Sequence, residues 1–179
     1  SSGSPAVRPL VLDRLGNTLR LAAFTLLISV PLSITLGVLA ALRENSWLDN
    51  VISLVSLSVV GLPEFVTGIV LINGLALGLG WFPPNALVMP DMSLGDWVRT
   101  LTLPALTATL VLLGYVVRMT RAGMLEELKQ DYVRTAALKG LPARTVIVKH
   151  VLRNALLPTI TVIALSVGWL IGGLIVIEN

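Results

Sequence analysis

Most of the basic residues of this sequence lie in a single stretch. Eight of the 13 Lys and Arg residues fall between positions 118 and 153: Arg118, Arg121, Lys129, Arg134, Lys139, Arg144, Lys149 and Arg153. In a membrane protein such a cluster marks the cytoplasmic face before it suggests nucleic acid. The single histidine, His150, lies in the same stretch. We expect His150 to make a surface contact, because a metal site would need ligand partners that this chain lacks.

Glu64 is the only ionisable residue deep within an apolar stretch. Ionisable groups inside a membrane often mark a transport pathway, so Glu64 could line one. Pro63, in the run Gly61-Leu-Pro63, suggests another role, because it can break a helix at this point. Glu64 would then stand at the start of a new helix, where the helix dipole favours a carboxylate. The sequence leaves both roles open.

The residue patterns of an enzyme are missing from the sequence. It has no cysteine, no His-Glu-x-x-His pair and no Gly-rich phosphate loop of the Walker type. We therefore expect no catalysis by this chain, no metal site and no cofactor bound to it.

The elements that carry these residues are apolar segments long enough to cross a membrane. Hydrophobic residues make up 55% of the 179 residues and charged residues 13%, whereas soluble domains carry about 25% charged residues. Four segments with at most one charge each stand out, at 21–42, 51–79, 101–117 and 155–177. About 20 apolar residues span a bilayer as a helix. The sequence therefore predicts an all-α membrane protein, a polytopic helical bundle with about four transmembrane helices.

The distribution of Lys and Arg sets the expected orientation. The stretch 118–153 is predicted to be cytoplasmic by the positive-inside rule. Alternation then places the loop 80–100, with one basic residue, outside, and the turn 43–50 inside. The N-terminus is expected outside.

The basic stretch has an internal order that predicts two helices. Apolar residues at helical spacing indicate one helix over 124–139, and Gly140 supplies a stop because glycine accepts the left-handed conformation. Pro142 suits the first turn of a second short helix. Its apolar stripe is predicted to hold Val148, Val151, Leu152 and Ala155.

The amino-acid sequence of this stretch resembles the EAA loop of ABC importer permeases. Asp131-Tyr-Val-Arg-Thr-Ala-Ala-Leu-Lys-Gly140, followed by Lys149-His-Val-Leu-Arg-Asn-Ala-Leu-Leu-Pro158, is similar to the dipeptide/oligopeptide/nickel branch. The general Glu-Ala-Ala pattern matches only at Ala136 and Gly140. The general Leu-Pro pair after the coupling helix is absent, because Leu152 is followed by Arg153. Both departures fit the peptide branch.

The resemblance covers roughly residues 15–178. The runs Gly37-Val-Leu-Ala-Ala-Leu-Arg43, Ser46-Trp-Leu-Asp49, Leu62-Pro-Glu-Phe65 and Gly80-Trp-Phe-Pro83 look like the first of the two permease subunits of this branch. Family members have further helices on both sides of this region, so we expect residues 1–179 to be one transmembrane permease domain that is a fragment of a longer chain. Within it, 118–153 is the expected EAA-type coupling loop.

The resemblance implies roles for named residues of the loop. The expected contacts with an ATPase subunit are Ala136, Lys139, Gly140, Leu141, Arg144 and His150. Asp131 and Arg134 are expected to brace the two short helices.

The resemblance also implies a function. The chain would be the transmembrane subunit of an ATP-driven, binding-protein-dependent importer of di- or oligopeptides, in a bacterial or archaeal cytoplasmic membrane. Its implied partners are a second permease subunit, giving a heterodimer, two ABC ATPase subunits that bind ATP and Mg²⁺, an extracytoplasmic substrate-binding protein and membrane lipid.

Other functions remain open from the sequence. Very similar permeases carry nickel, glutathione and other small polar solutes. A secondary transporter or channel is a different class, for which we would expect more intramembrane charges than Glu64 alone.

Overall fold

A computed structural model describes residues 7–85 and 92–177 of the chain. Its elements are α1 (Val7–Leu42), α2 (Trp47–Gly61), α3 (Glu64–Leu71), α4 (Leu94–Leu128), α5 (Asp131–Leu138), α6 (Ala143–Thr145) and α7 (Leu152–Ile177). Two π-helical segments, Ile72–Gly78 and Val146–Val151, continue α3 and join α6 to α7. The described residues contain no strand. The predicted all-α class is confirmed.

Three helical stretches are long and apolar enough to cross a membrane, namely Ala22–Leu42, Leu94–Leu128 and Ala143–Gly168. The number rises to four if the broken pair Trp47–Gly61 and Glu64–Gly78 is one span. This agrees with the predicted multi-span architecture. The pair is broken because Leu62 is extended and Pro63, which lacks an N–H, precedes the first residue of α3.

The third span was predicted over 101–117, and the helix that contains it extends beyond both of these bounds. Helix α4 has 35 residues and continues through Arg118 and Arg121 to Leu128. The extension is rich in strong helix formers, including Arg, Ala, Met, Leu and Glu. At the other end, the Ser93 hydroxyl accepts from the Asp96 backbone N–H at 3.2 Å and starts the helix before the apolar run.

The chain forms two compact units. Of the described residues, the first unit comprises 7–28, 63–85, 92–109 and 166–177, and the second unit comprises 29–62 and 110–165. In the first unit, Phe24 and Trp97 pack edge to face with ring centroids 6.5 Å apart, beside the buried Leu101 and Ala105.

Three glycines of the second unit sit where helices approach closely. A Cβ at Gly37 of α1 would lie 2.8 Å from the Val117 carbonyl oxygen of α4, and one at Gly114 would lie 2.8 Å from the Ser56 carbonyl oxygen of α2. A Cβ at Gly123 would overlap the Ala155 carbonyl oxygen of α7. Small residues allow such backbone contacts in membrane helices, so α4 packs closely on three other helices of this unit.

Candidate functional site

The basic stretch folds into two helical arms joined at Gly140. Helix α5 ends at Leu138, and Gly140 has φ +76°, the left-handed conformation that favours glycine. The Leu141 backbone N–H donates to the Ala136 carbonyl at 3.3 Å and closes the turn. Pro142 follows in extended conformation and precedes α6. An added Cβ at Gly140 would meet nothing within 4 Å, so backbone conformation alone favours glycine here.

The predicted single helix over 124–139 is wrong, because the structure breaks it at Lys129 and Gln130. Helix α4 ends at Leu128, Gln130 is extended, and α5 begins at Asp131. A carboxylate in the first turn of α5 is favoured by the helix dipole. The break redirects the chain, so that Val133 of α5 packs against the core that contains Met124 of α4.

An apolar core lies beneath the two arms. Its buried members are Ala41, Met124, Val146, Val151 and Ala155, and Met124 and Val151 are fully buried. The core therefore joins the end of α1, the end of α4 and the start of the α6-to-α7 helix.

The predicted stripe on the second arm is partly wrong. Val151, Leu152 and Ala155 belong to the core, but Val148 is 58% exposed and Val146 is buried in its place. The cause is the π-helical segment, whose wide turn brings residues five apart onto one side. Val146 and Val151 have that spacing. The second arm is also no separate short helix, because it continues without interruption into α7.

Four of the six residues predicted to contact an ATPase lie at the exposed turn around Gly140, residues 139–144, which we call the tip. Lys139, Gly140, Leu141 and Arg144 are exposed, while Ala136 and His150 are half-buried. Ala136 also packs against the core. The tip thus offers an apolar side chain and two cations on a backbone held by the core.

Asp131 and Arg134, predicted to brace the helices, are both exposed. No side-chain hydrogen bond of either is found among the described residues, so their bracing role stays a prediction.

Tyr132 makes the polar contacts that tie α5 to its neighbours. Its hydroxyl donates to Glu127 Oε2 of α4 at 2.6 Å and accepts from Asn154 Nδ2 of α7 at 3.4 Å. Burial, followed by the hydrogen bond to Glu127, raises the pKa of the Tyr132 phenol above its ordinary value. The phenol therefore stays protonated near neutral pH and remains the donor to Glu127.

A partly buried ion pair escaped the sequence analysis. Arg121 of α4 donates through Nε to Asp49 Oδ1 at 2.6 Å and through Nη2 to Asp49 Oδ2 at 2.7 Å. The Asp49 side chain is 3% exposed. The run Ser46-Trp-Leu-Asp49 was a usable signal, since a capping residue followed three positions later by an acid marks a helix start. The sequence could not show that Arg121 lies opposite.

Pro63 and Glu64 lie where α2 ends and α3 begins. Pro63 precedes α3, Glu64 is its first residue, and the Glu64 side chain is partly buried. A carboxylate at the first position of a helix is favoured electrostatically. This position suits a role in the helix break and leaves a pathway role as a prediction.

Two other features bear on chemistry. In the first unit, a shallow cleft of about 390 Å³ is lined by Phe82, Asp96 and Arg99 among others, and Arg99 Nε donates to the Trp81 carbonyl at 3.0 Å. Within the described ranges, no group of three or more His, Cys, Asp or Glu side chains is placed to hold a metal ion.

Comparison with known proteins decides the family. A protein family described as "binding-protein-dependent transport system inner membrane component" matches residues 33–179 of the chain. The chain belongs to this family of ABC transporter permeases. The resemblance seen in the sequence is confirmed, and the long apolar helices described above are those of a membrane-embedded permease.

Individual relatives are similar over almost the whole chain. The oligopeptide transport system permease protein AppB of Bacillus subtilis (strain 168) is 39% identical over 179 residues, which cover 99% of this chain and 56% of the relative. A Brucella suis biovar 1 (strain 1330) protein named as a peptide permease is 39% identical over 175 residues, or 97% of this chain and 55% of the relative. The chain therefore spans about half the length of these relatives.

Proposed function

We propose that this permease domain belongs to the transmembrane subunit of an ATP-driven importer of di- or oligopeptides. The cargo class rests on the names of relatives, which include an oligopeptide transport system permease. A heterodimer with a second permease, two ATPase subunits and an extracytoplasmic binding protein would complete the transporter in a bacterial cytoplasmic membrane. The domain itself would perform no chemistry, with ATP and Mg²⁺ bound by the ATPases.

The tip around Gly140 is the proposed contact with the ATPase. The observation that carries this proposal is an exposed tip joined to a buried core. Leu141 is 40% exposed, and Ala136, whose carbonyl accepts from the Leu141 N–H, packs against the core that contains the fully buried Met124. Leu141 would enter an apolar groove of the ATPase, while Lys139 and Arg144 would bind acidic side chains at its rim. A push on such a tip moves the packed helices beneath it together, because a close-packed core deforms little.

A crosslinking experiment tests the contact. The chain contains no cysteine, so Leu141→Cys places a single thiol at the tip of this domain. A thiol-linked photocrosslinker on the full-length permease, in the assembled transporter, is expected to capture the ATPase subunit. Val98→Cys is the matched control, because Val98 is 41% exposed and lies in α4 near the predicted outer side. Absence of an ATPase adduct at Leu141, or an equal adduct at Val98, would reject the proposed contact.

The energy source is tested by transport in proteoliposomes. Uptake of a labelled oligopeptide is expected to need ATP, the ATPase subunits and the binding protein. Uptake that continues without ATP would instead support a secondary transporter or channel. Competition by nickel or glutathione, with no competition by peptides, would move the cargo to another class.

A further inference from the structure

The pair Asp49–Arg121 joins two parts of the second unit that are far apart in sequence. Arg121 lies on α4, seven residues before that helix ends at Leu128. Asp49 lies in the first turn of α2, directly after the turn that follows α1. The two side chains are 72 residues apart in sequence, and both guanidinium-to-carboxylate bonds are 2.7 Å or shorter.

Asp49 also holds the α1–α2 turn in shape. Its Oδ2 accepts from the Asn45 backbone N–H at 3.0 Å, and its Oδ1 accepts from the Ser53 hydroxyl at 3.3 Å. Its own backbone N–H donates to the Ser46 hydroxyl. Asn45 has φ +62°, a left-handed conformation that local bonds must hold. One carboxylate therefore fixes this turn and binds α4.

Arg121 lies where α4 packs against α7. The neighbouring Thr120 hydroxyl is 3.3 Å from the Thr159 hydroxyl of α7, and Gly123 packs against Ala155 of α7. Met124 belongs to the core beneath the tip. A displacement of the tip that moves α4 would therefore reach Arg121 directly.

The geometry of the pair suits the transfer of position. Two parallel bonds from a planar guanidinium fix the distance and also the relative rotation of the two groups, which a single ammonium contact does not. Charge neutralisation alone needs no such fork. The carboxylate is almost completely buried, so few alternative partners are available to it.

We infer that Asp49 and Arg121 are positioning residues that transfer movement of the tip around Gly140, carried by α4, to the α1–α2 hairpin of the second unit. This inference rests on the proposed function, since it needs an ATPase that moves the tip. When the tip is displaced, α4 carries Arg121, and the fork draws the end of α1 and the start of α2 with it. Movement of the tip thus reaches α7 directly and reaches the α1–α2 hairpin through this pair.

The test compares transport with ATP consumption in the assembled, reconstituted transporter. Arg121→Lys keeps the charge and loses the two-bond contact. The number of peptides transported per ATP hydrolysed is expected to fall about fivefold, which corresponds to the loss of one hydrogen bond. Arg118→Lys is the matched control, because Arg118 lies one turn earlier on α4 and is exposed. It is expected to keep the wild-type ratio.

A second variant separates positioning from folding. Asp49→Asn combined with Arg121→Gln removes both charges, so no unpaired charge is buried and assembly is expected to stay within about twofold of wild type. The transport-to-ATP ratio of this double variant is expected to fall as in Arg121→Lys. A purely structural pair would lower the amount of assembled complex and leave the ratio per complex unchanged.

The outcomes separate this inference from the proposed function. Wild-type ratios in both variants, in a transporter whose Leu141→Cys thiol captures the ATPase, would overturn the positioning role alone. Failure of the Leu141→Cys protein to capture the ATPase, or of the wild-type protein to transport peptide, would reject the proposed function itself.

Discussion

In the second unit, polar side chains far apart in sequence bind one another, whereas the first unit contains several buried polar groups with local bonds or none. The second unit has Asp49 with Arg121, Thr120 with Thr159 and Tyr132 with Asn154. In the first unit, the Thr107 hydroxyl bonds within its own helix, and the buried Thr25 and Thr67 hydroxyls have no hydrogen-bond partner among the described residues. The buried Ser29 hydroxyl, at the first residue of the second unit, also has none there.

The difference suggests different mechanical roles for the two units. Side-chain bonds between helices resist relative movement, as an element that transmits force requires. A buried hydroxyl without a partner costs about 1–3 kcal/mol, so it is usually satisfied by something else when the protein works. Water or cargo in a hydrated pathway would supply such a partner to Thr25 and Thr67. We therefore expect the first unit to tolerate changes that the second unit does not.

The largest expected effect comes from one added methyl group. Gly123→Ala would drive a Cβ into the Ala155 carbonyl of α7, where no flexible side chain can yield, and should destabilise the second unit by about 1–3 kcal/mol. Gly68→Ala is the control in the first unit, because its Cβ would meet Thr107 Cγ2 at an ordinary 3.6 Å. It should be neutral or gain up to about 1 kcal/mol of helix propensity. Thermal unfolding of the purified full-length protein in detergent measures both.

Equal melting temperatures for Gly123→Ala and Gly68→Ala would remove the distinction between closely packed and open helix contacts.

A smaller effect is expected at Tyr132, whose hydroxyl links α4, α5 and α7. Tyr132→Phe keeps the ring and removes the bond to the Glu127 carboxylate, which should loosen α5 by about 1–2 kcal/mol. Tyr115→Phe is the control, since Tyr115 is 49% exposed on α4. Hydrogen exchange of the amides at 131–141 should accelerate in Tyr132→Phe and remain at the wild-type rate in Tyr115→Phe. Unchanged protection in both variants would show that the apolar core alone holds α5.

The smallest expected effect distinguishes a buried hydroxyl that has a hydrogen-bond partner from one that has none among the described residues. Thr120→Val breaks the bond to Thr159 and should cost about 0.6–1 kcal/mol, as buried hydrogen bonds between membrane helices do. Thr67→Val removes a buried hydroxyl without a protein partner and should cost less or even stabilise the fold. Peptide uptake should fall in Thr67→Val if pathway water or cargo binds that hydroxyl. A larger loss of stability in Thr67→Val than in Thr120→Val would contradict this comparison.

The sequence was sufficient for the features that depend on composition and on single residues. Long apolar runs predicted the membrane helices, and a glycine after an amphipathic run predicted the turn at Gly140. The amino-acid pattern of residues 131–158 predicted the family before the chain was compared with known proteins. Each of these signals is local, so neighbouring residues alone carry it.

The sequence was insufficient where the outcome depends on what packs opposite. In the sequence, Arg121 is one of eight cations in the basic stretch. Only the packing of α4 shows that it binds Asp49. The helix break at Gln130 depends on Val133 finding the core near Met124. Val148 was assigned to the buried stripe because a 3.6-residue period was assumed, and the π-helical segment changes that period.

The π-helical segment Val146–Val151 also bears on how this loop can evolve. A wide turn holds one residue more than an α-helical turn, while the helices on either side keep their directions. Loss of one residue here could therefore be absorbed by reversion to α-helix, with the ATPase-facing end and the membrane end still correctly oriented. Gene variants that differ in length by one codon within this segment are thus compatible with the same transporter. The same deletion in α4 between Gly114 and Gly123 would instead rotate the α2 contact at Gly114 or the α7 contact at Gly123 out of place.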